Sequence, residues 1–140
     1  MMDRNVVGTV VVVLALSIAG CGGSGSLSRA DLAKQASAIC KQRTTNVALL
    51  FKQHSGDSRA FMTAAIPVAT KSLGDLRALK PPTELQSTFN SFLAAQREEI
   101  DAVQHTLATH GSDNEAEGAT GAKLHVRERL AKTLGITSCE

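Results

Sequence analysis

Histidines and carboxylates are the side chains of this sequence best suited to chemistry. His54 and His110 each stand just before a glycine that ends a predicted helix, and Asp57, Asp113 and Glu115 open the helices that follow. In an up-and-down bundle these five side chains lie at one end, where two imidazoles and carboxylates could bind zinc or copper. Alternatively, each histidine only complements the negative carboxyl end of its helix. We expect no bound cofactor, and His54, His110, Asp57 and Asp113 are the candidate metal ligands.

Catalytic patterns are otherwise missing from the sequence. None of the serines lies in a nucleophile-elbow pattern, and most fit linker or capping positions. The carboxylates Glu98, Glu99 and Asp101 follow the outer face of a predicted helix, where solvation explains them. His125 is predicted to be a helix-surface residue, and no CxxCH haem-attachment motif is present. We therefore expect a protein that is not an enzyme.

The first twenty residues have the pattern of an export signal. A short polar start with Arg4 as its only strong base precedes an apolar stretch from Val6 to Ile18. That stretch is shorter than the ~20 residues that a mature membrane-spanning helix needs, which favours a cleaved signal peptide. Residues 1–20 are therefore expected to be removed on export, and Cys21 comes directly after them.

The run Ile18-Ala19-Gly20-Cys21 resembles the lipobox of bacterial lipoproteins. In that family the cysteine thiol receives a diacylglyceryl group, a signal peptidase cuts before the cysteine, and the new amino terminus is usually acylated with a fatty acid such as palmitate. The resemblance implies a lipid on Cys21 that holds the protein on the outer face of the cell membrane. The alternative is a secreted protein whose cysteine happens to follow the cleavage site.

Composition after Cys21 favours helices. Residues 21–27 are expected to be a lipidated cysteine and a Gly/Ser linker, in which residues 22–26 would reach ~13 Å as a random coil, and residues 28–140 are long enough for one domain. The chain has no Trp or Tyr and only four Phe, whereas helix-favouring residues are plentiful. Its net charge is +2, and charges of both signs are spread along the chain. The sequence therefore has no basic stripe of the kind that binds nucleic acid, and we expect no nucleic-acid partner.

Start and stop signals divide residues 28–140 into four helices. Ser28, Asp57 and Asp113 can each cap a helix, Pro82 suits the first turn of another, and Gly135 supplies a final stop. Short connections make successive helices antiparallel, so the expected fold is all-α, an up-down-up-down four-helix bundle. A proline inside a helix removes a hydrogen bond, so the second helix should be kinked or broken near Pro67.

Apolar residues at three-and-four spacing mark the faces expected to point inward. The first helix carries Leu32, Ala36, Ile39, Cys40, Val47, Leu50 and Phe51. The third carries Leu85, Phe89, Phe92, Gln96, Ile100, Val103 and Leu107, and the fourth carries Leu124, Val126, Leu130, Ala131 and Leu134.

If Cys21 carries lipid, Cys40 and Cys139 are the remaining thiols. An exported protein most simply joins such a pair in a disulfide. From the end of the fourth helix the last five residues must climb about 10 Å to meet Cys40, and an extended tail reaches ~16 Å. The alternative is a redox-active or metal-binding pair, which lacks the usual CxxC spacing.

Several short motifs together resemble a family. Ala38-Ile39-Cys40, the junction Leu79-Lys80-Pro81-Pro82 and the ending Leu134-Gly135-Ile136-Thr137-Ser138-Cys139 are similar to the small cysteine-bridged helical lipoproteins of high-GC Gram-positive bacteria. The resemblance implies a helical bundle and a Cys40–Cys139 disulfide, and it supplies no catalytic residue.

Two functional hypotheses follow. The favoured one is a lipid-anchored binding or interaction module of the cell envelope that contacts the membrane through its lipid and an envelope protein or component through its helices. The alternative is a carrier for a small ligand or metal. It would use an inter-helix cavity opened by Pro67, Gly118 and Gly121, or an ion at the His54/His110 end.

Overall fold

A computed structural model describes residues 25–109 and 113–139, and all regular structure in those ranges is helical. The helices are α1 (Arg29–Gln53), α2 (Ser58–Arg77), α3 (Gln86–Ala108) and α4 (Asp113–Leu134), and a 3-10 turn at Thr83–Leu85 leads into α3. Helix α1 packs on α2, α2 on α3, and α3 on α4. The expected all-α class and a bundle of four helices are confirmed. Within the described ranges no helix combines the length and apolar character needed to span a membrane.

Side-chain caps begin the first two helices, as expected. The Ser28 Oγ accepts a hydrogen bond of 3.1 Å from the Asp31 amide and donates one of 2.6 Å to the Asp31 carboxylate. The Asp57 carboxylate accepts a bond of 2.9 Å from the Ala60 amide. Each cap satisfies an amide that the helix itself leaves without a partner.

Helix α2 runs without interruption from Ser58 to Arg77, with Pro67 inside it. The break that the sequence allowed is therefore absent. Pro67 is exposed, so its ring faces solvent and not a neighbouring helix. A kink at this position stays a prediction.

Leu27, one residue before the predicted start of the domain at Ser28, is already bound to the domain. The Leu27 amide donates a hydrogen bond of 2.7 Å to the Lys80 carbonyl, and the Leu27 side chain packs against the core. Leu27 is thereby fixed beside the connection from α2 to α3.

The tail after α4 lies along α1. Gly135 adopts a φ of +74°, a conformation that favours glycine, and Ile136 folds back so that its amide donates to the Ala131 carbonyl at 2.9 Å. The Thr137 amide then donates to the Ser37 hydroxyl at 2.9 Å. The stop at Gly135 and the return of Ile136, which is 2% exposed, are confirmed.

The apolar core is concentrated at one end of the bundle. Its fully buried residues come from all four helices, the turn before α3 and the tail; they are Leu32, Ala36, Cys40, Leu76, Leu85, Phe89, Phe92, Ala131, Leu134, Ile136 and Cys139. We call residues 27–40, 73–92 and 131–139 the disulfide end.

The opposite end is packed differently. We call residues 46–68 and 100–109 the far end, and in them Thr106 is the one residue that is fully buried. The sequence predicted that Phe51 lies on an inward face, but the residue is 63% exposed. Its ring meets the neighbouring Phe61 ring edge-on. The prediction for Phe51 is therefore wrong.

Candidate functional site

Cys40 and Cys139 form a disulfide, as expected. Their Cα atoms are 5.0 Å apart, and 99 residues of sequence separate them. Each residue is 1% exposed, so both sulfurs lie within the apolar core. A buried bridge is inaccessible to an attacking thiolate, which favours a structural disulfide over a redox-active pair.

The candidate metal ligands are only partly described. His110 lies outside the described residues, as do the side chain of Asp113 and the predicted lipidation site Cys21. His54 ends α1 and is half-buried, and the Asp57 carboxylate is engaged as the cap of α2. In the part of the chain that the structure describes, no three His, Cys, Asp or Glu side chains are grouped to hold a metal ion. The metal site proposed for this end therefore stays a prediction.

His105 and His125 are both exposed. The Nδ1 atom of His125 lies 3.4 Å from a carboxylate oxygen of Glu128, one turn along α4. His125 is the helix-surface residue that the sequence predicted.

A layer of polar side chains crosses the middle of the bundle. The Arg127 Nη1 donates to the Glu99 Oε2 at 2.6 Å, and the Arg43 Nη1 donates to the Gln96 Oε1 at 2.9 Å. Arg127 is 3% exposed and Gln96 is 1% exposed. We call these four residues the buried polar layer.

Helical spacing continues the core faces into this layer. Arg43 follows Cys40 by three positions on α1, Gln96 follows Phe92 by four on α3, and Arg127 precedes Ala131 by four on α4. Residues three or four apart share a helix face. The buried polar layer therefore covers the apolar core on the side toward the far end.

Four buried polar atoms in and beside the layer have no hydrogen-bond partner within the described protein. Three belong to the layer itself: the Gln96 Nε2, the Glu99 Oε1 and the Arg127 Nε. The fourth is the hydroxyl of Ser72 on α2. Buried polar groups are costly when unpaired, so these atoms mark a place where additional polar partners are favoured.

Charge in the layer is unequal, because two guanidinium groups face one carboxylate. Burial raises the pKa of Glu99, although the charges of Arg127 and Arg43 act in the opposite direction. Burial and the nearby Arg127 charge lower the pKa of Arg43, and Glu99 offsets this only in part. For Glu99 and Arg43, the opposite charges in the layer thus offset the effect of burial only in part.

Sequence reasoning missed this layer. It placed Glu99 on a solvated face and Val126 on an inward face, and both predictions are wrong: Glu99 pairs with Arg127 in the interior, whereas Val126 is 39% exposed. Adjacent helical residues point about 100° apart, so turning Arg127 inward turns Val126 outward. The one sequence feature that pointed to the buried polar layer was Gln96, a polar residue on the otherwise apolar face of the third helix.

A cavity of about 60 Å³ opens between α1 and α2 beside the layer. Arg43 and the unpaired Ser72 line it together with Lys71 and Asp75, and Ile39 and Val68 supply apolar walls.

A larger and shallower groove of about 370 Å³ lies between α3 and α4. Its floor includes Ala95 and its rim includes the exposed Val126. Across it the Lys123 ammonium and the Glu98 carboxylate are 2.6 Å apart. Since this ion pair is exposed, it contributes little to stability.

Comparisons with known proteins give no match to this chain: no family model, no curated protein and no solved structure is similar to it. The chemistry of the site therefore rests on the residues described above.

Proposed function

We propose that this protein is a lipid-anchored binding or interaction module of the cell envelope, without catalytic activity. Lipid on Cys21 would hold it on the outer face of the cell membrane after residues 1–20 are removed. The observation that carries the proposal is the apolar stretch that closes on Ile18-Ala19-Gly20-Cys21.

The Cys40–Cys139 disulfide supports export. Disulfides persist in oxidising compartments and are rare in the cytosol. A fully buried bridge between the first helix and the tail also suits a small domain that must stay folded outside the cell.

Two or three acyl chains would make anchoring stable, because each buried methylene contributes ~0.8 kcal/mol and one chain alone binds only marginally. Leu27 is bound to the domain through the Lys80 carbonyl, so the Gly/Ser linker that the sequence predicts ends before it. In this proposal the disulfide end lies nearest the membrane and the far end points away from it.

We also propose the finer architecture, an up-down-up-down bundle with a kink in α2 at Pro67. Support for the up-down order comes from contacts between the ends of successive helices. The Phe51 and Phe61 rings meet where α1 leads into α2, and the Arg59 guanidinium at the start of α2 donates to the Leu107 carbonyl at the end of α3.

Replacing the anchor cysteine tests the proposal. Cys21→Ala should move the protein from the membrane fraction to the soluble fraction and abolish labelling with a fatty-acid analogue, since the acceptor thiol is gone. Ser24→Ala, three residues later in the linker, is the matched control and should leave both unchanged. Tight membrane association of the Cys21→Ala protein would contradict a lipid anchor.

Partners would be found by crosslinking from the far end. A photocrosslinker in place of the exposed Phe51 should capture a defined envelope component, and one in place of the exposed Asn90 at the disulfide end should not. Equal capture from both positions would argue against a binding face at the far end.

A small-ligand carrier is the second candidate, and the cavity between α1 and α2 favours it. Metal analysis and native mass spectrometry of the untagged protein would separate the two functions. A stoichiometric metal or a co-purified small molecule would support the carrier, whereas an empty protein that crosslinks to one envelope component supports the interaction module.

A further inference from the structure

The disulfide end carries more basic than acidic side chains. Its basic residues are all exposed, and they are Arg29, Lys34, Arg77, Lys80 and Lys132. Its acidic residues are fewer, and they are Asp31, Asp75 and Glu84. The far end, by contrast, holds two lysine or arginine residues and two carboxylates. Positive charge is therefore in excess at the disulfide end and balanced at the far end.

The acidic residues of the disulfide end leave its basic residues without partners. The Asp75 carboxylate pairs at 2.6 Å with Lys71, which lies one turn earlier on α2 and outside this end. The Asp31 carboxylate accepts a hydrogen bond of 2.6 Å from the Ser28 hydroxyl at the cap of α1. Across the described ranges, the lysines and arginines that pair with a carboxylate all lie outside the disulfide end, and they are Lys71, Arg97, Lys123 and Arg127. The five bases of the disulfide end are therefore available to an external negative charge.

Contacts between helix ends bring these bases to one surface. The Arg29 guanidinium donates to the Thr133 carbonyl at 2.9 Å, which places the start of α1 beside the last turn of α4. The Leu27 amide donates to the Lys80 carbonyl at 2.7 Å, which places the same start beside the connection that follows α2. Arg77 is the last residue of α2. Bases from three segments of the chain thus meet where residues 25–28 enter the domain.

The predicted anchor is joined to the domain at this surface. Leu27 is the sixth residue after Cys21, so at most ~20 Å of chain can separate the lipidated residue from the first bound one. Electrostatic attraction acts over ~10 Å at 0.1 M salt. A tether this short also raises the effective concentration of the membrane surface to the millimolar range, so weak attraction is enough for contact.

This surface is not built for insertion into the bilayer. The large apolar residues that are exposed within the described ranges are Leu49, Phe51 and Val126, and none of them belongs to the disulfide end. Basic side chains without exposed apolar neighbours are attracted to lipid headgroups and do not enter the acyl region. Contact with a membrane should therefore depend on headgroup charge and on salt.

We propose that the disulfide end docks on anionic phospholipid headgroups of the membrane that holds Cys21. The guanidinium and ammonium groups of its five bases lie against the lipid phosphates, and the far end points away from the membrane in a fixed orientation. This inference rests on the proposed lipid anchor, because the short tether supplies the proximity.

Reconstitution of the purified lipidated protein into vesicles tests the inference. One set of vesicles contains phosphatidylcholine alone, and the other contains equal parts of phosphatidylcholine and phosphatidylglycerol. A fluorescent amino acid replaces the exposed Ser87 at the start of α3, and a quencher is carried on the lipid headgroups. Quenching should be stronger in the anionic vesicles and should fall to the neutral-vesicle value at about 1 M salt, where charges are screened over only ~3 Å.

The same fluorophore in place of Phe51 is the control for position. It lies at the far end and should be quenched weakly and equally in both kinds of vesicle. Equal quenching of the Ser87 fluorophore in neutral and anionic vesicles would overturn the inference.

Neutralising two bases tests the surface itself. Arg77→Gln combined with Lys80→Gln should lower the ratio of docked to undocked protein about 25-fold, because each base near an anionic surface contributes about fivefold. Quenching in anionic vesicles should then approach the neutral-vesicle value. Lys41→Gln combined with Lys52→Gln removes the same charge from exposed positions outside the disulfide end and should leave quenching unchanged. Equal losses in the two double variants would contradict a docking surface at the disulfide end.

Flotation of the reconstituted protein separates this inference from the lipid anchor. Flotation with neutral vesicles depends on the lipid alone, whereas the difference in quenching depends on the bases. A protein that floats with neutral vesicles but is quenched equally in both kinds retains the anchor and contradicts the docking surface. A protein that floats only with anionic vesicles at low salt contradicts the anchor and supports the basic surface.

Discussion

The disulfide end and the far end share helices α1, α2 and α3, yet different forces hold them together. At the disulfide end the core side chains are at most 6% exposed and a covalent bridge joins α1 to the tail. At the far end the large apolar residues Leu49 and Phe51 are 52% and 63% exposed. The buried polar layer lies between the two.

If the proposed function is correct, this difference separates stability from binding. Regions with few buried apolar contacts open locally at lower free energy than a packed core does. The disulfide end can therefore keep the domain folded, and the far end keeps apolar surface available for contacts. Aromatic residues such as Phe51 are also enriched at protein interfaces.

Removing the disulfide should give the largest effect. Cys40→Ala combined with Cys139→Ala is expected to lower the free energy of unfolding by about 4 kcal/mol, because a loop of roughly 100 residues is no longer closed in the unfolded chain. Urea denaturation measures the change, and Cys21→Ala is the control for loss of a thiol elsewhere. A loss below about 1 kcal/mol would show that the disulfide end does not depend on its bridge.

Truncating one aromatic residue at each end compares the two regions directly. Phe92→Ala should lower the free energy of unfolding by about 3–5 kcal/mol, since it leaves a cavity in the core. Phe51→Ala should lose only about 0.5–1 kcal/mol, mainly from its contact with the Phe61 ring. Similar losses for the two variants would mean that the far end is as tightly packed as the disulfide end.

The boundary between the ends can be tested at its ion pair. Arg127→Met should lower the free energy of unfolding by about 3 kcal/mol, because Glu99 is left buried without its partner. Adding Glu99→Leu to that variant should recover part of the loss, since the unpaired carboxylate is then removed, and the buried Arg43 charge that stays limits the recovery. Arg97→Met removes an exposed pair with Asp101 and should change stability by less than about 1 kcal/mol. Additive losses in the double variant would show that Glu99 and Arg127 are not coupled.

The pH dependence of the same layer gives the smallest predicted effect. Burial raises the folded-state pKa of Glu99 above that of the unfolded chain. The stability that Glu99 contributes through this shift is fully present below the ordinary glutamate pKa. It is lost as the pH rises through the raised pKa of the folded state. Glu99→Gln should therefore gain stability relative to wild type as pH rises across this window, as measured by urea denaturation at several pH values.

Glu98→Gln, which removes the neighbouring exposed carboxylate, is the control for that series. A stability difference between Glu99→Gln and wild type that does not vary with pH would contradict a raised pKa for Glu99.

Local signals explain most of what could be predicted about the fold. Ser28 and Asp57 cap helices through bonds to amides three residues on, and Gly135 ends α4 through its own backbone conformation. Such features depend on a few neighbouring residues, so they can be read from short stretches. The Cys40–Cys139 bridge could be predicted because few thiols were available to pair.

The candidate site could not be predicted in the same way. Alanine-rich helices have several faces of similar hydrophobicity, so sequence spacing did not determine which face of α4 points inward. Turning α4 by one residue position would bury Val126 in place of Arg127. Packing against α3, where Arg127 pairs with Glu99, buries Arg127. The partners in the layer are 28 and 53 residues apart in the sequence, beyond any local pattern.

The sequence by itself determined the helices, their caps and stops, and the pair of cysteines that closes the domain. The tertiary structure alone decided that two arginines and a glutamate lie inside the bundle and that a polar cavity opens beside them. The physical reason is that helix formation is governed by residues within one or two turns, whereas the burial of a charge depends on which partners distant helices bring to it.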